Sequence, residues 1–338
     1  MTVLLNDLHI GCVRSAGTTP ASALALRRYA LDSFSSLLDH ISEDLVIVGD
    51  LFDTYSIAMT DLLTTYQTLT RWLEKGHNLT LIPGNHDLST DSAKMSSFQF
   101  MGQLLINHPN VQYISGGRWV DEKEGVYCIS HVHNQDLFDM ELAKVPECKF
   151  LLVHCNYDNH FAKDSDHSLN LSEEQAKVSK AQTIVFAHEH APRKLLGGKV
   201  VVMGNQFPMS ISDCLDGHDK FMHQIAGDKI NPIKVWDRKT EYVEMDWRSP
   251  EPTDAKFIRF VGTASAEESA AAADAVARYR KASEAYVVGN GIRVQTSEGQ
   301  KQLEIESLEQ VRAFDVMAAL KDYLTEKEYG KLQSLSQQ

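Results

Sequence analysis

LIPGNHD, residues 81–87, is the stretch from which the fold can be read. An apolar run over 79–82 is broken by Pro83-Gly84, and Asn85, His86 and Asp87 follow at once. That is the pattern of a buried strand feeding a tight turn, which presents an amide oxygen and an imidazole together at the strand's carboxyl end. The same design recurs along the chain. Asp7 and His9 follow the apolar run 3–5, Asp50 follows 45–48, His154 follows 150–153, and His188 and His190 follow 183–186. Carboxyl ends of strands are where open α/β sheets bind ligands, because the helices that cover the faces leave that edge free. Asp7, His9, Asp50, Asn85, His154, His188 and His190 supply carboxylate, imidazole and one amide oxygen without thiolate. Such a set suits hard or borderline divalent ions, manganese foremost and magnesium as the alternative. The donors are too many for one ion, so two ions sharing a bridging carboxylate is the economical reading.

The segments between these strands read as helices. Leu24, Tyr29, Leu31, Phe34, Leu37, Leu38 and Ile41 recur at helical spacing and predict a helix over about 21–41; a second amphipathic segment covers about 58–75. Further strands are predicted at 126–130 and 200–203. The expected fold is α/β, layered, with strand ends forming one metal platform. From about 228 to 256 the pattern changes, and Pro250 and Pro252 suggest a linker. Beyond it, 257–261 and 285–294 read as strands around an Ala-rich helix over 266–282, with a final helix over 308–329. The chain is therefore divided into a domain over 1–248 and a small α+β module over 249–338.

With 338 residues, 43% hydrophobic and 23% charged, the chain can bury a large core. No apolar run approaches the roughly 18 residues needed to cross a membrane, and MTVLLNDLH enters a strand without a basic leader. A cytoplasmic protein with no membrane partner is expected. Cys12, Cys128, Cys148, Cys155 and Cys214 are odd in number and lack CxxC spacing, which fits reduced thiols. The net charge of −13 argues against a protein that coats nucleic acid through its own field. It does not exclude a nuclease, because bound cations or a partner's basic groove can supply local positive charge.

Taken together, Asp7-x-His9, Gly49-Asp50, GNHD at 84–87, His154 after a strand, and AHEH at 187–190 resemble the calcineurin-like metallophosphoesterase signature, with Ala187 where the family usually has Gly. The resemblance implies a β-sandwich flanked by helices and a small C-terminal α+β capping domain. It places Asp7, His9, Asp50 and His190 on one ion, and Asn85, His154 and His188 on the other, with Asp50 as the bridge. GDLFDTYSIA (49–58), LIPGNHDLST (81–90) and VVMGNQFPMSISDC (201–214) are similar to segments of the SbcD-type DNA repair nucleases, Asn205-Gln206 departing from the usual pair. The short form resembles the bacteriophage members. That subfamily implies a manganese-dependent DNA exonuclease, with endonuclease activity a further expectation, that hydrolyses phosphodiesters by a two-metal mechanism. It further implies a homodimer working with an SbcC-like ATPase in DNA end processing or recombination, inside a bacterial or phage-infected cell. A small-molecule phosphodiesterase or phosphatase of the same superfamily is the alternative; Tyr55 and the GNHD run differ from the Arg and GNHE usual in protein phosphatases. An inactive scaffold has no need of these aligned donors.

His86, beside Asn85 but outside both donor sets, is predicted to steady the transition state or protonate the leaving sugar oxygen. Asp87 is expected to accept a hydrogen bond from His86 and fix its tautomer. Asp53 either orients the neighbours of Asp50 or caps the helix that follows. His131 and His133 read as structural, DNHFAKDSDH (158–167) as a solvated loop, and Cys155 as pointing away from the face of His154.

Overall fold

In the computed structural model, which describes residues 1–12, 19–91, 93–159, 168–216 and 218–295, alternation in the first strands builds two cores at once. Val3, Leu5, Leu45 and Ile47, from Thr2–Leu5 and Asp44–Val48, pack with Leu26, Ala30 and Phe34 of helix Pro20–His40 and Leu62, Leu69 and Trp72 of helix Met59–Leu73. Leu4, Val46 and Val48 face the other way and meet Cys128, Phe150, Leu152 and Val185 of a second sheet. The outer face of that second sheet, with Ile129, Leu151, Val153 and Phe186, is covered by Phe138 and Ala176 of helices Gln135–Ala143 and Glu173–Val178. Helix, sheet, sheet, helix is thus the layer order. It bears out the expected α/β sandwich flanked by helices.

The first sheet runs Lys229–Trp236, Lys220–Ala226, Thr2–Leu5, Asp44–Val48, Leu79–Ile82, Val111–Tyr113. Its last four strands are parallel, and the hairpin 220–236 joins antiparallel to Thr2–Leu5. Pro232 is tolerated there because Lys229–Trp236 is an edge strand. The second sheet runs Arg193–Leu195, Val200–Val202, Ala181–Ala187, Cys148–His154, Val126–Ile129, Gly117–Asp121, parallel through its middle four strands. Parallel strands buried on both faces are continuous apolar runs, which is why these segments stood out in the sequence.

The first helix starts as a capping box: Thr19 and Ser22 exchange side-chain to backbone bonds, and Pro20 occupies the first helical turn. Its buried stripe is Leu26, Ala30, Phe34 and Leu38, whereas Leu24, expected within the periodic face, is exposed. Further on, Tyr242–Asp246, Phe257–Val261 and Val287–Asn290 form a small parallel sheet with helix Ser269–Ala282. Pro250 and Pro252 lie in the irregular stretch between its first two strands. The strand expected over 285–294 is broken at Gly291, where Asn290 Oδ1 accepts the Ile292 amide. Phe257, fully buried, packs edge-on against Tyr29 and Trp236. The described residues up to Val294 form one compact unit. The helix predicted over 308–329 lies outside the described residues. No described helix is long and apolar enough to cross a membrane.

Candidate metal centre

Every expected donor stands at or just past a strand end, and at four of them the backbone turns left-handed. Asp7, His9, Asp50 and His188 have φ of 48°, 44°, 50° and 84°. Left-handed backbone costs an L-residue roughly 1–2 kcal/mol, and such strain gathers where the surrounding structure over-determines a functional geometry. Here the determination is visible: the Asp7 amide donates to Gly49 O at 3.0 Å, His9 N to Asp50 O at 3.0 Å, and His188 N to Asp7 Oδ2 at 2.9 Å. Gly49, with φ +83°, cannot be replaced without collision, because an added Cβ would lie 2.6 Å from His154 Cγ and closer still to Nδ1.

Two clusters result, and Asp50, a member of the second, reaches toward the first. Asp7, His9 and His190 form one, with His9 Nε2 and His190 Nε2 3.3 Å apart. Asp50, His154 and His188 form the other. In it, His154 Nε2 lies 3.2 Å from Asp50 Oδ2 and 3.1 Å from Asn85 Oδ1, and His188 Nδ1 lies 3.0 Å from Asn85 Oδ1. His9 Nε2 is 4.0 Å from Asp50 Oδ2, so Asp50 is within reach of both clusters. A third grouping, His9, Asp50 and His86, overlaps the two.

The donors fit divalent cations on three grounds. Donor separations of 3.0–3.3 Å match the edges, roughly 3.0–3.4 Å, of a tetrahedron or octahedron whose bonds are about 2.1 Å. Asp7 Oδ1 is buried with no hydrogen-bond partner, a costly state for a carboxylate oxygen unless a cation meets it. Asp7, Asp50, Asp53 and Asp213 are all at most 2% exposed, and among the described residues Lys220 is the one buried lysine.

Without cations the histidines compensate. Burial opposes ionisation of Asp50, but His154, His86 and His9 hold its carboxyl well below the ordinary range. Burial also opposes protonation of His154, yet Asp50 and Asp7 push it up to about 10. His190 is raised against its burial by Asp213 and Asp7. His154 Nδ1 faces Val48 O at 3.0 Å, so that nitrogen carries a proton and Nε2 is the atom offered to a cation.

His86 is held by its Nδ1, which donates to Asp53 O at 2.6 Å, and its amide donates to Asp50 Oδ1 at 2.9 Å. The expected bond from His86 to Asp87 is not formed. Asp87 instead accepts the amides of Leu51, Phe52 and Gly84, at 3.3, 3.0 and 3.0 Å, and so ties the Asp50 turn to the Asn85 turn. Burial and the Asp50 charge push its carboxyl up to about 7. Asp53 takes the orienting role rather than the capping one. Its carbonyl holds His86, its Oδ1 lies 3.4 Å from His9 Nδ1, and the next helix is capped at Ala58. His131 joins the two sheets through its amide on Pro83 O, and burial with nearby His154 holds its ring down to about 3; His133 is exposed. Cys155 is buried in the outer core of the second sheet, away from the donors, its thiol pushed up by that burial. Of 158–167, residues 160–167 lie outside the described residues.

The sequence reading missed a polar layer behind the donors. Asn6 Nδ2 donates to Asp7 Oδ2 and, at 2.8 Å, to Gly204 O; Gln206 pairs with Asn6 through both ends of its amide. Asp213 Oδ1 lies 3.1 Å from His190 Nδ1 and 3.2 Å from the buried Lys220 ammonium. GNQFPMSISD, already singled out by its resemblance, was the available signal: it contributes Asn205, Gln206 and Asp213.

Residues 2–192 match the family model described as calcineurin-like phosphoesterase. Among solved structures the chain is similar to TT1561 of Thermus thermophilus, at 12% identity over 69% of this chain and 98% of that one, with a TM-score of 0.41. It is also similar to AQ665 of Aquifex aeolicus, a protein of unknown function, at 14% identity over 51% and 88%, with a TM-score of 0.27. No curated protein matches the sequence.

Proposed function

The chain belongs to the calcineurin-like phosphoesterases, and on that premise we propose that it is a manganese-dependent DNA nuclease, an exonuclease with endonuclease activity, working as a dimer with an SbcC-like ATPase. Membership implies metal-dependent phosphoester hydrolysis with two divalent ions. One observation supports the hydrolytic reading: Asp50, grouped with His154 and His188, also stands 4.0 Å from His9 of the Asp7/His9/His190 cluster. We assign Asp7, His9, Asp50 and His190 to one ion and Asp50, Asn85, His154 and His188 to the other. When bound, such a pair neutralises the phosphoryl oxygens and lowers the pKa of an attacking water.

The remaining steps fall to the chain. His86 is assigned to steady the transition state or, in its doubly protonated form, to give the leaving sugar oxygen a proton: with Nδ1–H committed to the Asp53 carbonyl, Nε2 is the ring atom left for substrate. Asp87 holds the two turns that aim Asp50 and Asn85. The choice of DNA rests on GDLFDTYSIA, LIPGNHDLST and VVMGNQFPMSISDC. The small module after residue 248 is assigned a capping or partner-binding role, and the protein is assigned to the cytoplasm. With manganese, end-labelled linear duplex, closed circular DNA and bis-nitrophenyl phosphate separate the readings. Release of nucleotides from linear DNA supports the nuclease. Cleavage of the small diester with both DNAs left intact, ATPase present or not, supports a small-molecule phosphodiesterase and refutes the nuclease.

A further inference from the structure

Behind His190 lies a charged assembly sealed from solvent. Asp213 is 2% exposed and Lys220 1%. The Lys220 ammonium sits 3.2 Å from Asp213 Oδ1 and donates to the His190 carbonyl at 3.3 Å. Asp213 Oδ2 accepts the Met209 amide at 3.0 Å and the Ser210 hydroxyl at 2.8 Å, while Asn205 Nδ2 donates to Oδ1 at 3.1 Å. A carboxylate gripped on both oxygens cannot rotate. Its Oδ1 is therefore fixed 3.1 Å from His190 Nδ1.

A buried ion pair adds little net stability, because desolvation offsets its attraction; the contact with His190 gives this one a purpose. The other cluster is built differently, since His154 Nδ1 leans on the neutral Val48 carbonyl. We propose that Asp213, anchored by Lys220, is a positioning residue for His190: it accepts the hydrogen bond of Nδ1–H and so leaves Nε2 as the lone-pair atom beside Asp7 and His9. Cation binding is thereby strengthened in that half of the centre alone. The assignment rests on the two-cation reading above.

The test is calorimetric titration of the full chain with manganese chloride, with thermal melting followed in parallel. Wild type should take up two ions. Asp213→Asn should keep one step unchanged and weaken the other by about 10- to 100-fold, the usual loss when a ligand's orienting partner is removed. Added to His190→Ala, it should cause no further loss, because both act on one ligand. Asp213→Asn strands the Lys220 charge, so Asp213→Asn with Lys220→Met removes both charges and should show the same one-site loss if the single variant fails to fold. Two unchanged steps in a folded variant, or equal weakening of both, would overturn the proposal. Wild-type protein that binds no manganese would instead overturn the two-cation reading beneath it.

Discussion

Replacing Gly84 by Ala tests whether Asp50 is as tightly placed as the structure implies. A Cβ at Gly84 would lie 2.5 Å from the Asp50 amide nitrogen and 2.8 Å from His154 Cε1, and closer still to Asp50 Oδ1. Ordinary contact begins at 3.4 Å, so the Asp50 backbone has to retreat by about 0.9 Å. It has little freedom to do so. Its Oδ1 accepts the His86 amide at 2.9 Å, its Oδ2 faces His154 Nε2 at 3.2 Å, and its carbonyl accepts the His9 amide. Displacing reacting groups by about 1 Å costs about 100-fold in rate, and overpacking a buried site costs about 1–3 kcal/mol of stability. Gly84→Ala should therefore hydrolyse bis-nitrophenyl phosphate with manganese about 100-fold more slowly and melt at a lower temperature. A folded variant with the wild-type rate and full metal content would show that the centre tolerates movement of Asp50, against the reasoning.

Asp50→Asn should abolish hydrolysis and weaken both ions, checked by metal analysis; normal turnover with two ions would exclude the bridging role. His86→Ala should retain two ions and lose about 10²-fold or more in rate, whereas an empty site in that variant would make His86 a ligand. Manganese uptake should release protons, because a ligand must shed its proton to coordinate. His154, raised to about 10 by Asp50 and Asp7 against its burial, carries that proton at neutral pH. Apparent affinity should thus rise with pH between about 6 and 8, and a flat calorimetric profile in buffers of different ionisation enthalpy would refute this. Phe257→Ala should cost about 3–5 kcal/mol of stability, since Phe257 is fully buried against Tyr29, Trp236 and Tyr286. Its metal content should be unchanged, and a wild-type melting temperature would contradict its place in the main core.

That the seven candidate donors gather at one edge was legible because each ends or follows a buried parallel strand, whose continuous apolar run is the plainest signal a sequence offers. The hairpin 220–236 was not legible. Its strands are half-buried and carry Lys220, Lys229, Pro232 and Lys234, so burial leaves no continuous apolar run there. Asp213 was hidden for another reason: it lies 23 residues from His190, and only the folded chain brings them together. Sequence adjacency suggested that Asp87 serves His86, but neighbours in a tight turn point apart. His86 reaches the Asp53 carbonyl, while Asp87 turns inward onto three backbone amides.

On the proposed function, two cations sharing Asp50 perform the hydrolysis. Protein stripped by a chelator should be titrated with manganese while bound ion and hydrolysis of bis-nitrophenyl phosphate are measured in the same samples. Activity should stay near zero after chelation and rise to its plateau as the second ion binds. A plateau reached at one ion per chain, or undiminished hydrolysis by metal-free protein, would rule out a two-cation centre.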